Sequence, residues 1–115
     1  MIFIDFKDSR PIYEQITERI KLLILKGVLE ADEQLPSVRK LAMDLSTNPN
    51  TVQKAYAELE RQGFLYSVKG RGNYVRGDIS LKEKKRDELR SRIELILNEA
   101  EEIGISKKEL LEDLL

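Results

Sequence analysis

The chain contains neither cysteine nor histidine. Without cysteine it can form no disulfide and no thiolate metal site, and this composition fits a reducing cytoplasm. Without histidine it lacks the commonest general base and the commonest metal ligand. We therefore expect no metal ion and no other cofactor, and the composition argues against most classes of enzyme.

Long apolar runs are also absent. No stretch approaches the roughly 20 apolar residues that a helix needs to cross a bilayer, so no membrane partner is expected. The N-terminal sequence MIFIDFKDSR lacks the basic start and the long apolar core of a signal peptide. With 115 residues the chain is one domain, or one small domain with an appendage. So small a domain buries only about two thirds of its unfolded surface, and oligomerisation would add stability.

The net charge of −1 conceals an uneven distribution of charge along the chain. Residues 34–77 carry seven basic and three acidic side chains, whereas residues 1–33 carry five basic and seven acidic ones. Residues 78–115 carry eight basic and eleven acidic side chains. A local basic excess matters more for binding a polyanion than the charge of the whole chain. The middle segment is therefore the one expected to meet phosphate.

The beginning of the chain predicts a short extended segment followed by a helix. Ile2, Ile4 and Phe6 recur at every second position, which is typical of an edge strand or an extended arm. Pro11 suits the first position of a helix, where its missing N–H is not needed, and Gly27 suits the end. Residues 28–34 read as a connector. The apolar face of this helix consists of Ile12, Ile16, Ile20 and Leu23.

Two short helices separated by a polar turn are predicted next. Ser37 can cap a helix that runs to about Leu45, and Val38, Leu41 and Ala42 form part of its inward face together with Leu45. Ser46-Thr47 makes the turn. Asn48 can cap a second helix, Pro49 suits its first position, and the helix should run to about Gln62. Its apolar stripe consists of Val52, Ala55, Tyr56 and Leu59.

A hairpin with a basic tip should follow this second helix. Gly63 is a suitable helix terminator, and residues 64–68 and 73–76 read as strands that close on Lys69-Gly70-Arg71-Gly72. The whole pattern predicts a mainly α fold with a small β wing (α+β). Residues 9–77 would form a winged helix-turn-helix domain that binds DNA, and residues 78–115 a helical dimerisation tail.

The second helix of the pair has the residues needed to read a DNA major groove, which admits one α-helix. Asparagine and glutamine can pair with adenine, lysine can donate to guanine or phosphate, and threonine can meet phosphate or a thymine methyl. The alternative is a solvated polar face without a partner. The first outward positions of this helix are Asn50, Thr51, Gln53 and Lys54.

Three further features are expected to contact DNA beside that helix. Arg39 should point outward from the preceding helix, where its guanidinium can contact guanine or phosphate, although it could also be an ordinary surface arginine. Ser37 and the free amides at its helix start could meet a phosphate. In the tip, Lys69 and Arg71 are cations, while Gly70 and Gly72 let the backbone approach DNA closely.

The C-terminal residues predict a helical tail that pairs with a second copy. A charge-rich helix should run from Ile79 to about Glu102, and Ser106 with Glu109 forms a capping pattern for a last helix. Alternatively, the apolar seam of the long helix folds back on its own winged domain. A dimer is favoured because it can read both half-sites of a palindrome. The seam consists of Leu89, Ile93, Ile96, Ala100 and Ile103, and Leu110, Leu111, Leu114 and Leu115 could close its end.

These residues resemble the GntR family of bacterial transcription regulators. The matching positions cover residues 9–77, about 60% of the chain, in the order and spacing of the family. They are Pro11-Ile12-Tyr13-Glu14-Gln15-Ile16, Gly27, Leu35-Pro36-Ser37-Val38-Arg39-Lys40-Leu41-Ala42, Asn50-Thr51-Val52, Ala55-Tyr56, Leu59-Glu60, Gly63, Gly70-Arg71-Gly72 and Val75.

The resemblance implies a winged helix-turn-helix that contacts operator DNA through Arg39, through Asn50, Thr51 and Gln53, and through the 70–72 glycine region. Many members have arginine where this chain has Pro49, and some have arginine where it has Gln53, so base preference cannot be transferred. The short tail is similar to that of the YtrA subfamily. That similarity implies a dimeric repressor, often of transporter genes.

Three other functions remain open at this point. Acidic neighbours such as Glu101-Glu102 could support acid–base catalysis, but they lack a nucleophile or metal ligands. A winged domain with a coiled tail could serve as a protein-interaction adaptor. A winged helix could also bind RNA.

A small effector could bind at the dimer interface, but no residues indicate one, and the sequence does not distinguish repression from activation.

Overall fold

The structure is a computed structural model that describes residues 2–77 and 80–115. It separates into two compact units, Met1–Asp78 and Ile79–Leu115. The predicted tail boundary and the predicted helix start at Ile79 lie outside the described residues. The first unit contains α1 (Ile12–Leu25), α2 (Val38–Asp44), α3 (Pro49–Arg61), β1 (Leu65–Val68) and β2 (Gly72–Val75), and the second contains α4 (Ser80–Glu102) and α5 (Lys107–Leu114).

Local sequence chemistry sets the helix ends. The Ser37 hydroxyl accepts a hydrogen bond from the Lys40 amide at 3.1 Å, and the Asn48 side chain accepts one from the Asn50 amide at 2.8 Å. Each interaction satisfies an amide that would otherwise lack a partner in the first turn. Gly63 follows α3 with a φ of 85°, a conformation that favours glycine. Pro11, predicted at the first helical position, instead precedes it as the N-cap.

The core of the first unit forms where α1 and α2 pack against α3. The predicted apolar stripe of α3 is fully buried, and α1 contributes Ile16, Ile20 and Leu23. Tyr56 is the largest buried side chain, and its hydroxyl donates to the Pro36 carbonyl at 2.8 Å. Burial raises the pKa of Tyr56 above its ordinary value. Together these contacts fix α3 to the start of α2.

The wing is a two-stranded antiparallel sheet in which Leu65 pairs with Val75 and Val68 with Gly72. The segment before α2, which the sequence indicated only as a connector, lies along β2. The Leu35 amide donates to the Asn73 carbonyl at 2.9 Å, and the Val75 amide donates to the Glu33 carbonyl at 2.9 Å. These bonds tie the wing to the chain that enters α2.

Residues 2–7 form an arm and not an edge strand, so the strand alternative is wrong for them. Gln15, a buried residue of α1, holds this arm. Its side-chain oxygen accepts from the Asp5 amide at 2.9 Å, and its side-chain nitrogen donates to the Asp5 carbonyl at 3.0 Å. These bonds take up both backbone groups of Asp5, and residues 2–11 pair with no strand among the described residues.

The second unit is a long helix followed by a short one. Gly104 has a φ of 86° and ends the first helix, and the Ser106 hydroxyl accepts from the Glu109 amide at 3.1 Å to cap the second. Ala100 is buried beside this turn, where its carbonyl accepts from the Ile105 amide at 2.9 Å. The predicted cap and helix break are confirmed.

Candidate nucleic-acid interface

Helix α3, the second helix of the predicted pair and therefore the predicted recognition helix, presents a polar edge opposite its buried stripe. Asn50, Gln53 and Lys54 are exposed, and Thr51 is half-buried. All four lie in the first two turns, directly after the Asn48 cap. The described part of the chain therefore has the expected groove-reading residues on its surface, with amide, hydroxyl and ammonium groups available for hydrogen bonding.

Arg39 lies in the first turn of α2 and is exposed. Within the described residues its guanidinium makes no ion pair or hydrogen bond, whereas the neighbouring Lys40 ammonium pairs with Asp44 at 2.8 Å. Arg39 is thus available for a bidentate contact with guanine or phosphate. Ser37 uses its hydroxyl oxygen as the helix cap, and the hydroxyl hydrogen is still able to donate to a phosphate.

The wing tip carries two exposed cations on a glycine-dependent backbone. Lys69 and Arg71 are exposed, and neither forms an ion pair among the described residues. Gly70 has a φ of 79° and Gly72 a φ of 122°, so both are in the region that favours glycine. The tip is a tight turn in which the Arg71 amide donates to the Val68 carbonyl at 2.9 Å.

Gln34 supports this tip and was not predicted from the sequence. Its side-chain nitrogen donates to the Arg71 carbonyl at 2.8 Å, and its backbone forms an isolated bridge with Tyr74. A Cβ at Gly72 would lie 3.3 Å from the same nitrogen. No sequence signal marks Gln34, because its partner is distant along the chain.

Lys54 is also held in a way that the helical pattern did not indicate. Its ammonium lies 3.9 Å from the centre of the Tyr13 ring, which belongs to the first turn of α1. That distance is within the range of a cation–π interaction. Lys54, which the sequence predicted as a DNA contact, is therefore positioned by a residue of another helix.

The acidic side chains of α3 are engaged with neighbours. Glu58 accepts hydrogen bonds from Arg61 and from Gln62, and the bonds from Arg61 and Gln62 lower the pKa of Glu58 to about 2. Glu60 accepts from the Ser67 hydroxyl at 3.0 Å. Both lie in the C-terminal half of α3, so the half that carries Asn50 and Lys54 has no acidic residue.

Residues 2–77 and 80–115 contain no group of three or more acidic side chains placed to hold a metal ion. Among the same residues, no helix combines the length and the apolar character that crossing a membrane requires.

The tail presents an apolar surface. In the single chain, Leu89, Ile93, Ile96 and Ile103 are between 43% and 74% exposed. Ala100, predicted with them, is buried. Of the terminal leucines, Leu110 is half-buried, whereas Leu111, Leu114 and Leu115 are exposed.

Comparison with known proteins places the first unit among bacterial regulators. The family model described as bacterial regulatory proteins, gntR family, matches residues 12–75. The HTH-type transcriptional repressor YtrA of Bacillus subtilis (strain 168) is 41% identical over 114 residues, which cover 97% of this chain and 88% of that protein.

Solved structures show the same likeness. A GntR family transcriptional regulator from Listeria monocytogenes has a TM-score of 0.73 and 39% identity, and the match covers 95% of this chain and 96% of that one. The AraR DNA-binding domain in complex with operator ORE1 has a TM-score of 0.56 and 31% identity, and covers 65% of this chain and 92% of that one.

Proposed function

Because this chain belongs to the GntR family of bacterial regulatory proteins, we propose that it acts as a dimeric repressor that binds a palindromic operator. It is a DNA-binding transcriptional regulator of YtrA type and not an enzyme, as the family model and the YtrA relative indicate. A role on chromosomal DNA would place it in the bacterial cytoplasm.

The exposed polar edge of α3 carries this proposal. A recognition helix must be fixed to its domain on one side and free on the other. In α3 the stripe around Tyr56 is buried, and Asn50, Gln53 and Lys54 are exposed. A fixed helix lowers the ordering cost of binding, since its polar side chains are already aligned for the groove.

We assign roles to residues from this geometry. Asn50 and Gln53 carry the amides that suit adenine, and Thr51 suits a phosphate or a thymine methyl. Arg39 suits guanine or phosphate, and the Ser37 hydroxyl suits phosphate. At the wing, Lys69 and Arg71 would contact the backbone or the minor groove, with Gly70 and Gly72 allowing close approach.

A second copy would pair through the apolar surface of α4. One recognition helix reads only a few base pairs, whereas a twofold dimer reads two half-sites about 34 to 36 Å apart. The exposed Leu89, Ile93 and Ile96 of α4, with Ile103 directly after its end, repeat at near-heptad spacing, which suits helix–helix pairing. Ala100 would support the turn into α5 and contribute little to the interface.

DNA binding is tested by selecting duplexes from a random pool with the full chain. Enrichment of a palindrome, with affinity that falls steeply with salt concentration, is the expected result. Equal uptake of all duplexes would contradict sequence-specific binding, and preferential uptake of RNA would favour the RNA-binding alternative. If the chain binds no nucleic acid at any salt concentration, the result would favour a protein-interaction adaptor.

Dimer formation is tested in the full chain by sedimentation. Ile93→Glu places a charge in the apolar surface of α4 and should convert the dimer to a monomer. Ser91→Glu adds the same charge at an exposed polar position of the same helix and serves as the control. A dimer that survives Ile93→Glu unchanged would remove α4 as the dimer element.

Repression is tested by placing the selected duplex within a promoter that drives a reporter gene. The chain should lower reporter output, and Arg39→Ala should restore it. Increased output with the wild-type chain would identify an activator.

A further inference from the structure

The contact between Tyr13 and Lys54 joins the first helix to the recognition helix. Tyr13 is half-buried, and its carbonyl accepts from the Thr17 hydroxyl at 2.8 Å. The Lys54 ammonium lies 3.9 Å from the ring centre. The Tyr13 hydroxyl donates to the Glu14 carboxylate at 3.4 Å. Since Tyr13 is half-buried while Lys54 is exposed, the aromatic face sets the position of the ammonium.

The contact moves the lysine charge away from the groove-reading edge. Lys54 follows Asn50 by one helical turn, so the two Cα atoms lie on the same face of α3. The Lys54 ammonium, however, is directed sideways onto α1. A lysine side chain has four flexible carbons, and an aromatic partner restricts the positions that its charge can occupy.

We propose that Tyr13 is a positioning residue that holds the Lys54 ammonium at the α1 side of the recognition helix, where it contacts a backbone phosphate and not a base edge. This inference rests on the proposed DNA-binding function. The sequence left two roles open for Lys54, a contact with guanine or a contact with phosphate, and this proposal selects phosphate.

The chemistry of the two groups favours phosphate. An ammonium is a compact point charge with three donors, so it can face a ring on one side and donate to phosphate on the other. Phosphates form the walls of the groove that a recognition helix enters, whereas base edges lie at its floor. An ammonium held beside the helix is therefore positioned to contact a phosphate in the wall of the groove. Lys54 forms no ion pair within the described residues that would compete.

The first test measures binding to a duplex selected from a random pool and to its scrambled counterpart. Lys54→Ala should weaken binding to both duplexes alike and reduce the slope of log affinity against log salt by about 0.9, the value for one phosphate. A loss confined to the selected duplex would identify a base contact and overturn the assignment.

The second test is a double-mutant cycle. Tyr13→Leu should weaken binding about two- to fivefold without changing the salt slope, because the charge is retained. Tyr13→Phe keeps the ring and should bind as the wild type does. Tyr13→Leu in a Lys54→Ala background should have no further effect. Additive losses in the double variant would show that Tyr13 does not act through Lys54.

Failure of this inference and failure of the proposed function are distinguishable. If Lys54→Ala binds as the wild type does while Arg39→Ala is weakened, the Lys54 contact is overturned and the DNA-binding function stands. If the wild-type chain enriches no duplex, both are overturned.

A measurement without DNA tests the contact itself. The ring current of Tyr13 should shift the Lys54 ε-methylene protons upfield in the NMR spectrum of the wild-type chain. Tyr13→Phe should keep the shift, and Tyr13→Leu should abolish it. Unshifted protons in the wild-type chain would overturn the positioning role, whether or not Tyr13→Leu folds well enough for the binding experiments.

Discussion

Gln34 donates a 2.8 Å hydrogen bond to the backbone carbonyl of Arg71, a residue 37 positions later in the chain. This bond connects the segment that enters α2 with the tip of the wing. Arg39 lies in the first turn of α2, shortly after Gln34 in the chain, so the same segment leads from the wing to α2. The wing and α2, which are both expected to contact DNA, are therefore held in fixed relative positions by the Gln34 side chain and by the backbone hydrogen bonds of neighbouring residues.

Replacing Gln34 should weaken DNA binding through the wing. Gln34→Ala removes the donor to Arg71, and a typical hydrogen bond of this kind stabilises by about 0.5–1.5 kcal/mol. We expect affinity for a selected duplex to fall by a comparable free energy, measured by fluorescence anisotropy. Gln34→Glu keeps the size and removes the donor, so it should weaken binding as well. Full affinity in both variants would show that the bond does not organise the wing.

The two wing-tip glycines should differ in their tolerance of a side chain. Gly70 and Gly72 both have positive φ values, of 79° and 122°. An added Cβ at Gly70 meets nothing within 4 Å, whereas at Gly72 it meets the Gln34 side chain at 3.3 Å. Gly70→Ala should cost about 1–2 kcal/mol of stability, and Gly72→Ala should cost more than Gly70→Ala because its Cβ also displaces the Gln34 side chain.

Thermal unfolding and DNA affinity measure this difference. Gly70→Asn is the control, because asparagine tolerates a left-handed conformation better than alanine does, and it should recover part of the loss. Equal effects of alanine at the two positions would contradict the contact with Gln34.

Arg39 and Lys40 form a matched pair of adjacent cations. Arg39→Ala should weaken binding to a selected duplex by about 1–3 kcal/mol and leave the fold intact. Lys40→Ala removes the same charge, so the long-range attraction to DNA changes equally. Because the Lys40 ammonium already pairs with Asp44 at 2.8 Å, its removal should cost distinctly less. Equal losses would indicate that only net charge matters and that Arg39 makes no specific contact.

Acid should destabilise the chain partly through Glu58. Hydrogen bonds from Arg61 and then from Gln62 hold the pKa of Glu58 at about 2, below its ordinary value of 4.5. A carboxyl group with a lowered folded pKa stabilises the fold above its unfolded pKa and loses this effect as the pH falls towards the folded pKa. Glu58 therefore contributes above pH 4.5, and its contribution disappears between pH 4.5 and about 2.

Chemical denaturation at several pH values tests this dependence. Glu58→Gln should flatten the fall in stability between pH 5 and about 2, since the neutral amide does not titrate. Arg61→Met removes the main partner and should flatten it in the same way. An unchanged pH profile in both variants would contradict the linkage.

Much of the first unit could be predicted from local sequence. Ser37, Asn48 with Pro49, and Gly63 set helix ends through bonds and backbone preferences that span only a few residues, and each was confirmed. The buried stripe of α3 followed from helical periodicity. The N-terminal strand alternative was wrong because a strand needs a neighbouring strand, which alternation of apolar residues does not predict. The Gln15 side chain binds the backbone of this segment instead.

Only part of the candidate site could be predicted from local sequence in the same way. The apolar periodicity predicts which helix positions are buried in the core. The remaining positions, which include Asn50, Gln53 and Arg39, are therefore expected to be exposed. The connector before α2 gave no strand signal, yet it lies along β2 through bonds to Asn73 and Val75. Its pairing depends on where the hairpin packs, which no local pattern states.

The sequence by itself determined which residues form the helices and the hairpin, and which faces they bury, because caps, turns and apolar spacing act over one or two helical turns. Only the tertiary structure decided that Gln34 supports the wing at Arg71 and that Tyr13 holds Lys54. Each of these contacts joins residues distant in sequence, and such pairs meet only after the core has fixed the directions of the elements that carry them.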